Sequence, residues 1–134
     1  MNYLLDTNIC VLLIRQKSPH VLAKLTGHLI TDIAISAITV AELQYGVDKS
    51  SQPTRNQQAL DQFLLPLTII PFDEQDAITY GQIRANLETN GIPIGALDTL
   101  LAAQAVRYNL ILVTNNVREF ARVPGLVVED WTKP

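Results

Sequence analysis

The run Tyr3-Leu4-Leu5-Asp6-Thr7-Asn8 decides how this chain is read. Residues 2–5 make a short apolar strand without polar alternation. A strand of that kind is covered on both faces, as in a parallel sheet. Asp6 stands where the strand ends, and Thr7 and Asn8 behind it are residues that start helices. Helix capping alone would account for Thr7 or Asn8. It accounts less well for Asp6, because a surface cap need not sit at the carboxyl end of a buried strand. In open α/β sheets that end is where ligands bind.

Outward from this run, strands and helices alternate. A helix is expected over about 7–16, and Ser18-Pro19 starts a second one running to Gly27. Ile33-Ala34-Ile35 is a second strand, with Ser36 able to cap a helix over about 37–48. The polar stretch 49–56 reads as an interhelical loop, and Pro53 opens a helix to about Leu65. Leu67-Thr68-Ile69-Ile70 is a third strand. Asp73 caps a long helix closed by Gly91, with Asp76 in a box-like position. After the loop Gly91-Ile92-Pro93-Ile94-Gly95, Asp98 begins a helix to about Asn109. Its run 100–106 is apolar nearly all round, so deep burial is expected. Leu110–Val113 is a fourth strand and Leu126–Val128 a fifth. The pattern predicts one α/β domain over residues 1–134: a parallel-sheet α/β/α sandwich of four to five short strands with helices on both faces.

Composition agrees. A chain of 134 residues, 48% hydrophobic, suits one domain with a sizeable core. Cys10 is the only cysteine, which excludes an internal disulfide and fits a small buried hydrophobe in a reducing, cytoplasmic setting. The N-terminus lacks a basic region and Asp6 interrupts the early apolar run, so no secretory signal is expected. The apolar segments are too short to span a membrane. A net charge of −3 argues against a protein held on nucleic acid by charge alone. Arg84, Arg107, Arg118 and Arg122 nevertheless gather in the C-terminal half and can form a local basic surface.

Two further acids occupy comparable places. Glu42 falls beside Ile38, Ala41 and Tyr45 on a helical wheel, and periodicity alone makes it a solvated residue at the edge of an apolar stripe. Turned inward, it would need a partner, because an unpaired buried charge is costly. Asp98 lies at a helix N-terminus, where capping by itself explains an acid and is compatible with a second role. Thr114-Asn115-Asn116 follows the fourth strand as a turn, with Glu119 three residues on. Three carboxylates close together raise one another's pKa. A hard divalent cation, Mg²⁺ or Mn²⁺, removes that penalty and takes oxygen ligands. His20 and His28 lie away from these motifs and read as ordinary surface or partly buried residues, which disfavours zinc.

Leu4-Leu5-Asp6-Thr7-Asn8, Ala41-Glu42-Leu43, Pro93-Ile94-Gly95-Ala96-Leu97-Asp98 and Val113-Thr114-Asn115-Asn116 together resemble the PIN-domain ribonucleases. More narrowly, the chain resembles VapC toxins of bacterial toxin–antitoxin pairs. The tail from Asn115 to Trp131 resembles the branch that cleaves initiator tRNA. The resemblance runs in order from end to end. It implies that Asp6, Glu42 and Asp98 surround Mg²⁺, supported by Thr7, Asn8, Thr114, Asn116 and Glu119. It also implies metal-dependent cleavage of RNA in the anticodon stem-loop, a cognate VapB-type antitoxin that occludes the site, and a homodimer. The family often carries a fourth acid just after the last core strand, and here Asn116 stands at that place. Arg84, Arg118 and Arg122 are candidates for contact with RNA phosphates.

Two other readings compete. An aspartate-based phosphoryl-transfer domain of the haloacid-dehalogenase type would want a second aspartate where Asn8 stands. A response-regulator receiver would want paired acids near the first strand and a late lysine, and the only late lysine is Lys133. A non-catalytic PIN-like binding module is the remaining alternative, left open by Asn116.

Overall fold

Strand β1 (Tyr3–Leu5) lies in the middle of a five-stranded, all-parallel sheet of order β3-β2-β1-β4-β5 in the computed structural model, which describes residues 1–134. The other strands are β2 (Ile33–Ser36), β3 (Thr68–Ile70), β4 (Ile111–Val113) and β5 (Val128–Glu129). Leu5 sits in register with Ile35 of β2 on one side and Val113 of β4 on the other. The chain winds outward from β1 through β2 to β3, then returns to place β4 against the free side of β1. The change of direction falls between β1 and β4. In such sheets a crevice opens at that point, beyond the carboxyl ends of the strands.

Alternating side chains serve opposite faces of the sheet. Leu4, Ala34 and Leu112 join one buried cluster with Ile83 and Leu87 of α5 (Glu74–Thr89) and Ala102, Ala103 and Ala105 of α6 (Ala96–Tyr108). Leu5, Ile35 and Val113 join the other cluster. That second layer is built by α1 (Thr7–Ile14), α2 (Pro19–Thr26), α3 (Ala37–Asp48) and α4 (Pro53–Leu64). Two covered faces explain why the strands are apolar without alternation.

Local sequence fixes most element ends. Ser18 and Ser36 cap α2 and α3 through their side-chain oxygens. Asp73 and Asp76 form a reciprocal capping box at the start of α5, at 3.0 and 3.1 Å. Asp76 is fully buried and is also held by Gln104 at 3.2 Å and Arg107 at 3.3 Å. Gly91 follows α5 with φ +71°, a left-handed conformation that favours glycine. Asp73→Ala should therefore lower the stability of the protein through loss of the cap. Urea unfolding of the variant checks this, and an unchanged midpoint would refute it.

Two expectations need correction, and one element is added. The helix bearing Asp98 begins at Ala96, with Gly95 as its cap residue, so Asp98 occupies the first turn and caps nothing. A short helix α7 (Val117–Phe120) follows the 114–116 turn, in a stretch where no element is expected from the sequence. The stripe Ile38–Ala41–Tyr45 is not an inward face of α3: Ala41 and Tyr45 are exposed, and Thr39, Leu43 and Val47 are the buried set. No helix is long and apolar enough to cross a membrane.

Candidate active site

Asp6 is only 5% exposed at the carboxyl end of β1, and its backbone N–H donates to Val113 O at 3.0 Å. Its Oδ1 accepts the Ile9 N–H at 2.9 Å, so the residue does cap α1. Burial pushes its carboxyl above the ordinary range, and the charge of Glu42 adds to this. Hydrogen bonds from the Thr114 side chain and from the Ile9 and Asn8 backbone act the other way. Thr114 itself is fully buried and accepts the Asn116 N–H at 2.9 Å. Asn8 contributes through its backbone, while its side chain is exposed.

Glu42 is half-buried on α3, and its Oε1 accepts a hydrogen bond from Thr7 Oγ1 at 2.6 Å. The same hydroxyl lies 3.3 Å from Thr39 Oγ1. Thr7 thus ties the start of α1 to the middle of α3 beside Asp6. Thr39 was not anticipated, although Ser36, Thr39 and Glu42 recur at a spacing of three residues along one helix face.

Asp98 reaches the same region from α6, on the other layer. Its pKa is pushed up to about 6, first by burial, then by the Glu119 carboxylate, and further by Asp6 and Glu42. Glu119 on α7 is partly buried, which would raise its pKa. That is outweighed by the Gly95 N–H, the Asn116 amide, Asp98 and the charge of Arg122, which hold it below the usual range. Glu119 Oε1 accepts the Gly95 N–H at 3.1 Å, and its other oxygen accepts a hydrogen bond from Asn116 Nδ2. Asn116 and Glu119 therefore act together on the loop that leads into Asp98.

The charges of Glu119, Asp6 and Glu42 all act on Asp98, and that of Glu42 acts on Asp6, while no Lys or Arg forms an ion pair with Asp6, Glu42 or Asp98. The side chains are not drawn into a closed group at metal-ligand spacing. The arginines differ in availability. Arg118 is exposed and makes no ion pair, Arg122 donates to Pro93 O at 3.1 Å, and Arg84 is bonded to Tyr80 and Glu88 on α5.

A family model described as the PIN domain matches residues 3–126. The chain belongs to the PIN-domain family. Within that family its relatives are VapC ribonucleases. Ribonuclease VapC2 of Rickettsia felis is 45% identical over 139 residues, covering 99% of this chain and 100% of the relative. The tRNA(fMet)-specific endonuclease VapC of Salmonella typhimurium is 40% identical over 131 residues, covering 98% of each chain. A crystal structure of DNA-bound VapBC from Salmonella typhimurium superposes with a TM-score of 0.93 at 40% identity, again over 98% of each chain. The chain is a ribonuclease of the VapC type, and its PIN fold explains why a sheet crevice rather than a surface patch carries the acids.

Proposed function

We propose that residues 1–134 act as one domain, the toxin half of a toxin–antitoxin pair. In this reading it is a Mg²⁺-dependent endoribonuclease that cleaves initiator tRNA in the anticodon stem-loop. The observation that carries the catalytic reading is Asp6: a buried carboxylate at the sheet's switch point, beside Glu42 and Asp98, with no cationic side chain to compensate it. Such a cluster is unfavourable alone and is relieved by a divalent cation. The donor set consists of carboxylate oxygens without His or Cys, which fits Mg²⁺, or Mn²⁺, rather than zinc. Asp6, Glu42 and Asp98 would hold the ion, which supplies neutralising charge and activates a water toward a phosphodiester.

The chain's own residues do the positioning. Ile9 N–H and Thr114 fix Asp6, Thr7 fixes Glu42, and Glu119 with Asn116 fixes the entry to α6. Arg118, exposed next to Glu119, is free to meet a backbone phosphate. The substrate assignment rests on the 40% identity to the Salmonella tRNA(fMet)-specific enzyme. The expected antitoxin of VapB type rests on the VapBC complex with which the chain superposes. Assembly as a homodimer belongs to the same reading, and sedimentation of the purified chain tests it. Sequencing the 5′ ends of RNA fragments after brief expression tests the substrate. Cuts in the initiator tRNA anticodon loop support it, and cuts spread over messenger RNA with that tRNA intact refute it.

The pKa of Asp98 gives a second test. A folded value of about 6 lies above the ordinary 3.8, so this group's contribution to stability is full in acid and is lost as pH rises toward and past 6. A cation binds the ionised form and offsets that loss. Mg²⁺ should therefore raise the melting temperature more at about pH 7.5 than at about pH 5. Thermal melts with and without MgCl₂ read this directly, and an equal shift at both pH values would contradict it.

A further inference from the structure

We infer that the cavity between α5 and the 91–95 loop is a subsite for one unpaired guanine of the RNA, read by Arg84 and Glu88; this rests on the ribonuclease reading above. The cavity encloses about 240 Å³ and is lined by Tyr80, Arg84 and Glu88 on α5 and by Pro93, Ile94 and Thr99 opposite. That is below the roughly 300–1,000 Å³ of sites for drug-sized ligands, and it suits a single planar base.

Its position ties it to the acids. The segment Pro93–Ala96 is the partition between the two places. Pro93, Ile94 and Ala96 face the cavity, while the Gly95 N–H is bonded to Glu119 on the acid side. Arg122, just beyond α7, donates to Pro93 O and holds the same segment. A base seated in the cavity leaves its own backbone at the edge of the crevice that Asp98 shares.

The rim chemistry selects the base. Arg84 Nη1 donates to Tyr80 Oη at 3.0 Å and its Nε donates to Glu88 Oε2 at 3.3 Å. The guanidinium and carboxylate are about half exposed, with side-chain values of 58% and 52%, so the pair contributes little to stability. It does present a donor beside an acceptor over an apolar pocket. Guanine offers the complementary edge: O6 accepts from the guanidinium, and N1–H and N2–H₂ donate together to one carboxylate. No other standard base carries two adjacent donors on that edge. Tyr80, Pro93 and Ile94 supply surfaces against which an unstacked base packs, the usual mode for single-stranded RNA.

The test is a titration of the full chain with guanosine 5′-monophosphate, followed by amide NMR, with the adenosine, cytidine and uridine monophosphates as comparisons. Shifts at Tyr80, Ile94 and Thr99 with the guanosine nucleotide, weakened about tenfold by Glu88→Gln, are expected. Equal shifts with all four nucleotides, or none at the cavity, would overturn the inference. A second readout uses hairpin RNA in which single guanines are replaced by inosine, which lacks the N2 amino group. One such replacement should raise KM for the parent protein and make no difference to Glu88→Gln, and Arg84→Gln should lose efficiency mainly in KM. Unaltered KM throughout counts against the subsite. Failure of the parent protein to cleave any RNA would defeat the ribonuclease reading, while the nucleotide titration still decides the cavity.

Discussion

Asp6→Asn protein should fold, melt in metal-free buffer no lower than the parent, and lose about 10³-fold in RNA cleavage. Fold and chemistry separate here because Asp6 has two roles. As a cap it accepts the Ile9 N–H at 2.9 Å, and asparagine caps equally well. As a carboxylate it is buried, with its pKa raised by that burial and by Glu42, so its charge is a cost to the empty protein. Removing the charge relieves the cost and removes a cation ligand at the same time. Circular-dichroism melts in EDTA and single-turnover cleavage with Mg²⁺ provide the two readings. Cleavage within tenfold of the parent would take Asp6 out of the chemistry. A collapsed melting temperature would show that the charge itself is structural.

Trp131→Ala should cost about 3–5 kcal/mol, although the residue is the fourth from the end. Trp131 is 1% exposed and joins the cluster containing Leu5, Ile9, Ile35 and Val113. It stacks on His28 at 5.3 Å and 9° and packs on Tyr3 at 5.2 Å. Its Nε1 donates to Glu129 Oε1 at 2.9 Å, so its one polar atom is satisfied. The tail thereby seals one end of the core on the α1 side of the sheet. A fall in the melting temperature of about 10–18 °C is expected for a chain of this size. Trp131→Phe should lose clearly less, because the ring contacts survive. A loss under about 1 kcal/mol for the alanine variant would mean that the tail is peripheral.

How much of this was legible depended on the kind of signal each residue leaves. Asp6 was legible because an apolar run, an acid and two cap formers stand in immediate succession. The capping box of Asp73 and Asp76 was legible because its partners are three residues apart. Ser18-Pro19 and Ser36 gave the starts of α2 and α3 for the same local reason. The inward face of α3 was not legible. That helix carries apolar residues on two faces, and periodicity cannot say which of them meets the sheet; Tyr45 proved exposed and Leu43 buried. Asp98 was expected to start its helix, but the helix starts two residues earlier, at Ala96 behind Gly95. Helix α7 has one turn and no periodicity to detect. The link from Glu119 to Gly95 spans 24 residues of sequence, and only tertiary structure reveals it.

The strand order has a consequence for synthesis. Asp6 is made at the start of translation, but the strand that completes its surroundings is β4, at residues 111–113, and Glu119 comes later still. The backbone N–H of Asp6 is satisfied by Val113, over a hundred residues downstream. A nascent chain can pair β1 with β2 early, yet it cannot assemble the crevice until nearly its whole length has left the ribosome. A chain whose translation stops before residue 111 lacks the strand that closes the surroundings of Asp6 on that side.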